Sequence, residues 1–158
     1  MKKFLRSLFI ILLLAAGLYI YARYTYVNET PYVEPVPAVE KIAEHGSYTS
    51  KEDVALYIHT YGKLPSNFIT KKEAKKLGWD STKGSLWKYC EGCSLGGDVF
   101  TNQEGNLPKK KGRTYYECDI NYNGKKRGAK RIVFSNDGLV YYTDDHYETF
   151  ELLYGDGQ

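Results

Sequence analysis

Between Tyr115 and Tyr122 apolar and polar positions alternate. Tyr116, Cys118, Ile120 and Tyr122 interleave with Tyr115, Glu117, Asp119 and Asn121. This period of two predicts a half-buried strand, with one face toward a core and Glu117 and Asp119 side by side on an open face. Asn123-Gly124 is a turn signal. Ile132-Val133-Phe134 predicts the returning strand, with Arg127 and Arg131 before it. After a second turn, Asn136-Asp137-Gly138, the run Leu139-Val140-Tyr141-Tyr142 predicts a third strand. An antiparallel meander of these three brings His146 near the sheet edge, within reach of Glu117.

Upstream the pattern is helical. Thr49 with Glu52, or Ser50 with Asp53, caps a helix that ends before Gly62, with Val54, Tyr57, Ile58 and Tyr61 as its apolar stripe. Thr70-Lys71-Lys72-Glu73 is a second capping box, and Gly78 closes that helix. Leu86 to Cys90 predicts a short third helix. Leu95 to Pro108 is rich in turn residues and predicts a loop. Lys109-Lys110-Lys111 leads from it into the central strand. Helices first and a meander after predict an α+β fold, with N-terminal helices packed on an antiparallel sheet.

The N-terminal part follows neither pattern. Met1 to Arg6 is basic, and Ser7 to Ala22 is uncharged and mostly apolar. Residues 1–22 are therefore expected to be an export signal, either cleaved or kept as an anchor through residues 4–22. Residues 23–46 hold Pro31, Pro35 and Pro37 and predict an extended linker or pro-segment. The domain is expected over residues 47–158 and outside the cell, secreted or membrane-anchored.

Charge adds little until it is read locally. From Ser47 onward 17 Lys and Arg face 15 Asp and Glu, a balance of +2. That net charge by itself names no polyanionic partner. Three cysteines are an odd number. Cys90-Glu91-Gly92-Cys93 is a single C-x-x-C with no His close by, so no metal is expected. In an exported chain Cys90 and Cys93 can bridge, or one of them can pair with Cys118. Cys118 can equally be a buried free thiol.

The local cluster carries the chemistry. Glu and His are the usual residue types for general base and general acid. Arg127 and Arg131 can hold and neutralise a phosphate between them. Lys71 lies in the first turn of its helix, where a cation is electrostatically unfavourable. An anionic ligand would account for it, and so would plain solvation among Lys71, Lys72, Lys75 and Lys76. A surface ion-pair cluster is the simplest alternative for Glu117 and the arginines, but it leaves His146 unexplained. Without a metal, the available nucleophile is a substrate 2′-hydroxyl, which makes RNA cleavable and DNA not.

From Ser47 to Leu152 the chain resembles the small secreted bacterial ribonucleases of the barnase and binase type. The resemblance rests on Lys63-Leu64-Pro65-Ser66-Asn67-Phe68-Ile69-Thr70-Lys71, Leu77-Gly78-Trp79, and Gly96-Gly97-Asp98-Val99-Phe100. It continues through Glu104-Gly105, Leu107-Pro108, Gly112-Arg113-Thr114, Asp119-Ile120-Asn121-Tyr122, Thr143 and Asp145-His146-Tyr147. It implies Glu117 as the general base and His146 as the general acid. Lys71, Arg127 and Arg131 would bind the phosphoryl group, and Tyr147 would stand beside the acid. Phe100, Asn102, Gln103 and Glu104 fall in the segment that reads guanine, through backbone amides and the Glu carboxylate. Asp119 would orient the two arginines.

The implied activity is metal-free, cofactor-free cleavage of single-stranded RNA 3′ of guanine, giving a 2′,3′-cyclic phosphate. RNA is the implied partner, with a barstar-like inhibitor as a further one, and the protein is expected to be a monomer. The family usually has an arginine where Gln103 stands. Its loss implies weaker transition-state stabilisation and a weaker grip by such an inhibitor. Two other functions fit parts of the sequence. A catalytically weak, surface-anchored RNA- or polyanion-binding module has no need of Glu117 among the arginines. A tyrosine-rich cell-surface interaction domain explains the anchor and linker but not the site.

Overall fold

The computed structural model describes residues 2–28, 42–82 and 84–156. The chain divides into two compact units, Met1–Glu40 and Lys41–Gln158. In the first, helix α1 spans Lys2–Asn28. Phe9–Tyr26 within it is long and apolar enough to cross a membrane, and none of that window is buried. The helix continues past Ala22, because the helix-breaking prolines begin only at Pro31. Most of the predicted linker, residues 29–41, lies outside the described residues.

The second unit opens on a segment that the prolines upstream made look like linker. Ile42 is buried. Tyr61 donates its hydroxyl proton to the Ile42 carbonyl (2.7 Å), and Tyr57 donates to that of Glu44 (2.8 Å). Lys63 pairs with Glu44, and Tyr48 bonds both backbone groups of Ala43. We therefore propose that the folded domain already includes Ile42, upstream of the expected start at Ser47. A protein starting at Ser47 is expected to be less stable than one starting at Lys41 by about 2 kcal/mol or more, from one apolar side chain and two hydrogen bonds. Urea unfolding of the two measures this, and equal midpoints would show the segment to be passive.

Helix α2 (Lys51–Tyr61) starts at Ser50, whose hydroxyl accepts from the Asp53 amide, and ends at Gly62. Its Val54, Ala55 and Ile58 pack on Cys118, Ile120, Ile132, Phe134 and Val140 of the sheet, the main core. Strand β1 (Phe68–Ile69) precedes α3 (Lys71–Lys76), which carries the full Thr70–Glu73 capping box. The short third helix is a single 3-10 turn, Leu86–Lys88.

The remaining strands are β2 (Ser94–Phe100), β3 (Tyr115–Asp119), β4 (Arg131–Ser135), β5 (Val140–Thr143) and β6 (Glu151–Tyr154). They lie in the order β1 to β6. Every neighbouring pair is antiparallel except β1 with β2, which is parallel. The predicted meander is β3–β4–β5.

Two expectations need correction. The predicted loop from Leu95 begins as a strand, and only residues beyond Phe100 are loop. Gly96 pairs with Cys118 and Asp98 with Glu117, so Gly97 is the extra residue of a bulge, at φ +91°. A Cβ at Gly96 would come within 2.6 Å of the Cys118 Cβ. Close packing against β3, not strand propensity, puts glycine there. The face of β3 predicted to be open is also largely covered. Tyr115 packs with Leu107, Val133, Leu139 and Tyr141 in a second core, and Asp119 is buried. Cys90 and Cys93 are bonded, and Cys118 is a buried free thiol that burial holds well above its usual pKa.

The turn between β4 and β5 is tied to the segment before β3. Arg113 bonds Asp137 through Nε and Nη2 (2.8–3.0 Å), and Ser135 donates to the same carboxylate. These bonds hold the Asp137 carboxyl down to about 2. An unfolded Asp has a pKa of about 3.9. The contribution is therefore complete above about pH 4 and is lost as pH falls toward about 2. Asp137→Asn is expected to flatten that part of the stability–pH curve, which denaturation midpoints between pH 5 and 2 would show. An unchanged slope would contradict it.

Candidate active site

Glu117 lies in the middle of β3, opposite Asp98 on one side and Val133 on the other. Its side chain is 13% exposed and is held at both oxygens. Lys71 Nζ donates to Oε1 at 2.6 Å, and the Tyr147 hydroxyl donates to Oε2. Burial pushes the carboxyl pKa up, but the bonds from Lys71 and Tyr147 and the charges of Lys71 and Arg131 outweigh it. The carboxyl is held below its usual range and is ionised at neutral pH. Burial and the facing carboxylate push the Tyr147 phenol the other way, so it remains a proton donor.

Lys71 reaches Glu117 because of where α3 begins. It is the first residue of the helix, and its amide donates to Asp98 Oδ2 at 2.9 Å. Asp98 follows the bulge glycine, so the bulge aims a carboxylate at this amide. The sequence reading missed Asp98 as a positioning residue. Its partner lies 27 positions away in the chain, and no local pattern marks such a contact.

Asp119, two residues further along β3, braces both arginines. Arg127 Nε and Nη2 bind its two oxygens at 2.6 and 2.7 Å. Arg131 Nε lies 3.0 Å from Oδ1, at ion-pair distance but off the hydrogen-bond line. Its Nη1 donates to the carbonyls of Gly128 and Lys130. Arg131 is 4% exposed and faces the side of the site where Glu117 and Tyr147 sit. Arg127 is 29% exposed at its side chain and remains open to a ligand.

His146 and Tyr147 both have positive φ, 61° and 80°. Two consecutive non-glycine residues in that region cost about 1–3 kcal/mol each and need external support. Asp145 supplies it, accepting from the Thr143 and Thr149 hydroxyls and from the amides of Glu148 and Thr149. Thr143 Oγ1 accepts from the Tyr147 amide. The His146 ring lies 4.7 Å from that of Tyr147 and is exposed.

The segment expected to read a base follows β2. Phe100 packs at 5.2 Å from Tyr147, which joins the segment to the charged centre. Asn102 sits at φ +49° and is buried, with Oδ1 accepting from the Leu107 amide and Nδ2 donating to the Leu107 carbonyl. Its side chain thus closes the loop and leaves only its backbone for a ligand. Gln103 and Glu104 are exposed in the turn that follows. Among the described residues no group of three His, Cys, Asp or Glu converges as metal ligands.

A ribonuclease family model matches residues 51–154. The chain is 44% identical to a ribonuclease of Bacillus intermedius over 129 residues, 82% of this chain and 78% of that one. It is 52% identical to a ribonuclease of Heyndrickxia coagulans over 102 residues, 65% of this chain and 94% of that one. Guanyl-specific ribonuclease St of Saccharopolyspora erythraea is 41% identical over 71 residues, covering 44% and 66%. The braced arginines and the held carboxylate therefore stand in a chain that belongs to the bacterial ribonuclease family of the barnase and binase type, and it is an endoribonuclease.

Proposed function

We propose that this endoribonuclease cleaves single-stranded RNA on the 3′ side of guanine by transesterification, outside the cell, secreted or held by α1. The observation that carries the chemistry is the Glu117 carboxylate, ionised and placed between the Lys71 ammonium and the Tyr147 hydroxyl beside two braced arginines. Glu117 takes the proton of the ribose 2′-hydroxyl. The 2′-oxygen then forms a bond to phosphorus while the bond from phosphorus to the 5′-oxygen breaks. His146, protonated at the start, gives its proton to that leaving oxygen. The products are a 2′,3′-cyclic phosphate and a free 5′-hydroxyl. Lys71, Arg127 and Arg131 neutralise charge on the phosphoryl oxygens as it develops.

The loop from Phe100 to Glu104 supplies guanine recognition, through backbone amides held by the Asn102 side chain and through the Glu104 carboxylate. Gln103 brings no positive charge to that rim. The test is a short RNA containing one G, in EDTA, beside its copy with 2′-deoxyguanosine. Cleavage 3′ of the G in the first alone supports the proposal. Cleavage of both, or cleavage without base preference, refutes the corresponding part of it.

A further inference from the structure

We propose that Trp87, fastened to the turn that the Cys90–Cys93 bridge closes, is a positioning residue for Arg127. The inference rests on the reading of Arg127 as a group that neutralises the phosphoryl oxygens. It adds the device that keeps this arginine in place.

The segment that carries Arg127 has little structure of its own. β3 ends at Asp119 and β4 begins at Arg131. Among the described residues no backbone–backbone hydrogen bond ties residues 122–129 between them. The Lys125 amide donates to Asn123 Oδ1 at 3.3 Å, a bond that stays inside the turn. A segment so poor in internal bonds takes its course from what packs against it. On the β4 side, Arg131 Nη1 holds the Gly128 carbonyl at 2.9 Å. On the β3 side the fastening is Trp87. Gly124 has φ +78°, and a Cβ there would overlap Cε3 and Cδ2 of the indole, so the ring packs directly on the backbone. The same ring meets that of Tyr122 edge-on at 5.9 Å.

Trp87 is itself fixed from the other direction. Its Nε1 donates to the Cys93 carbonyl at 2.9 Å. That carbonyl closes a tight turn, in which the Cys93 amide donates to the Cys90 carbonyl and the two sulfurs are bonded. β2 starts at the next residue, Ser94. The neighbouring Leu86 amide donates to the Tyr122 hydroxyl at 2.9 Å. Contacts thus run from the bridge through Trp87 to Gly124, three residues before Arg127. Burial does not account for the ring. Trp87 is 36% exposed, whereas Trp79 at 5% fills the core on that side with Ala74, Leu86, Cys93 and Leu95.

Asp119 fixes the Arg127 guanidinium through Nε and Nη2 and leaves Nη1 for a ligand. That pair fixes the tip of the side chain, not the backbone that carries it. A cation that meets charge as it develops contributes to the transition state, so its misplacement shows in kcat.

The experiment uses the full-length protein and a short RNA containing one G. Trp87→Ala, Trp87→Phe, Gly124→Ala and Cys90→Ser/Cys93→Ser are each made with and without Arg127→Ala. Activity is expressed per folded molecule, with the folded fraction from circular dichroism. Trp87→Ala is expected to lower kcat/KM by about tenfold, mostly in kcat, short of the roughly 10²-fold that a 1 Å misplacement can cost. In the Arg127→Ala background it should cost less than about twofold, because the two residues act as a unit. Trp87→Phe keeps a ring on Gly124 and should retain most of the activity. Gly124→Ala makes the test from the loop side with Trp87 in place, and the cysteine variant should show a smaller loss of the same kind. The NMR signal of the Arg127 Nε–H is followed alongside, and it should shift or weaken in Trp87→Ala and Gly124→Ala. Equal losses with and without Arg127, or an unmoved Arg127 signal, would overturn the proposal. Equal cleavage by wild type and Arg127→Ala would instead refute the phosphoryl role of Arg127, and the signal alone would then decide whether Trp87 places it.

Discussion

Glu117→Gln is expected to lower kcat/KM on guanine-containing single-stranded RNA by about 10²–10⁴-fold, the usual contribution of a positioned general base. The amide fills the same space and still accepts the Tyr147 hydroxyl, but it cannot take a proton. The cost in stability should be small, because two effects oppose. The ion pair with Lys71 at 2.6 Å is lost. So is the burial of a charged carboxylate that is only 13% exposed. Lys71 keeps its charge, but it is 42% exposed, so water takes the place of the lost partner and the net cost should be about 1 kcal/mol or less.

His146→Ala should give a loss of similar size, and the double variant little further, because the two groups act in one step. The acid limb of the pH–rate profile belongs to Glu117. Since its folded pKa is lowered, that limb should fall below the ordinary glutamate value of about 4.3. An acid limb above that value, or a Glu117→Gln enzyme within tenfold of wild type, would remove the carboxylate from the base role.

Asp119→Asn is expected to produce the largest loss of stability, about 3 kcal/mol. Asp119 is 5% exposed at its side chain and is the shared counter-ion of two guanidinium groups, one of them only 4% exposed. Removing one member of a buried ionic group leaves the others buried without compensation, which costs about 3–5 kcal/mol. The retained amide oxygen places Asn near the lower end. Catalysis should fall too, because Arg127 loses the two bonds that fix its plane. The exposed Lys51–Glu151 pair is the natural control, since Glu151 is 60% exposed there. Glu151→Gln should change stability by no more than about 0.5 kcal/mol. Urea unfolding of the two variants makes the comparison, and a shift below about 1 kcal/mol for Asp119→Asn would contradict the account.

The residues of the site differ in how far the sequence revealed them. Glu117, Arg127 and Arg131 stood out because strand alternation and a single turn gather them from within fifteen residues. Lys71 was ambiguous by local electrostatics alone, and only the family resemblance favoured a ligand role. Asp98 was invisible, because its value lies in one bond to an amide across the sheet. Asn102 was marked only by the resemblance, which implied its backbone amide, and no local pattern showed that its side chain closes the loop on Leu107.

The amphipathic period of α2, both caps, the meander from Tyr115 to Tyr142 and the apolar N-terminal helix are local properties, set by side-chain spacing and backbone capping within one or two turns. The sequence determined them by itself. The strand at Ser94–Phe100 is different. Gly96 and Gly97 have no preference for strand, and the segment becomes one only because β3 and β1 flank it and leave no room for a Cβ at Gly96. The attachment of Ile42–Gly46 is likewise a matter of distant hydroxyls on α2. Long-range pairing decides these features because a backbone group or a small residue carries no signal of its own until a partner from elsewhere in the chain desolvates it.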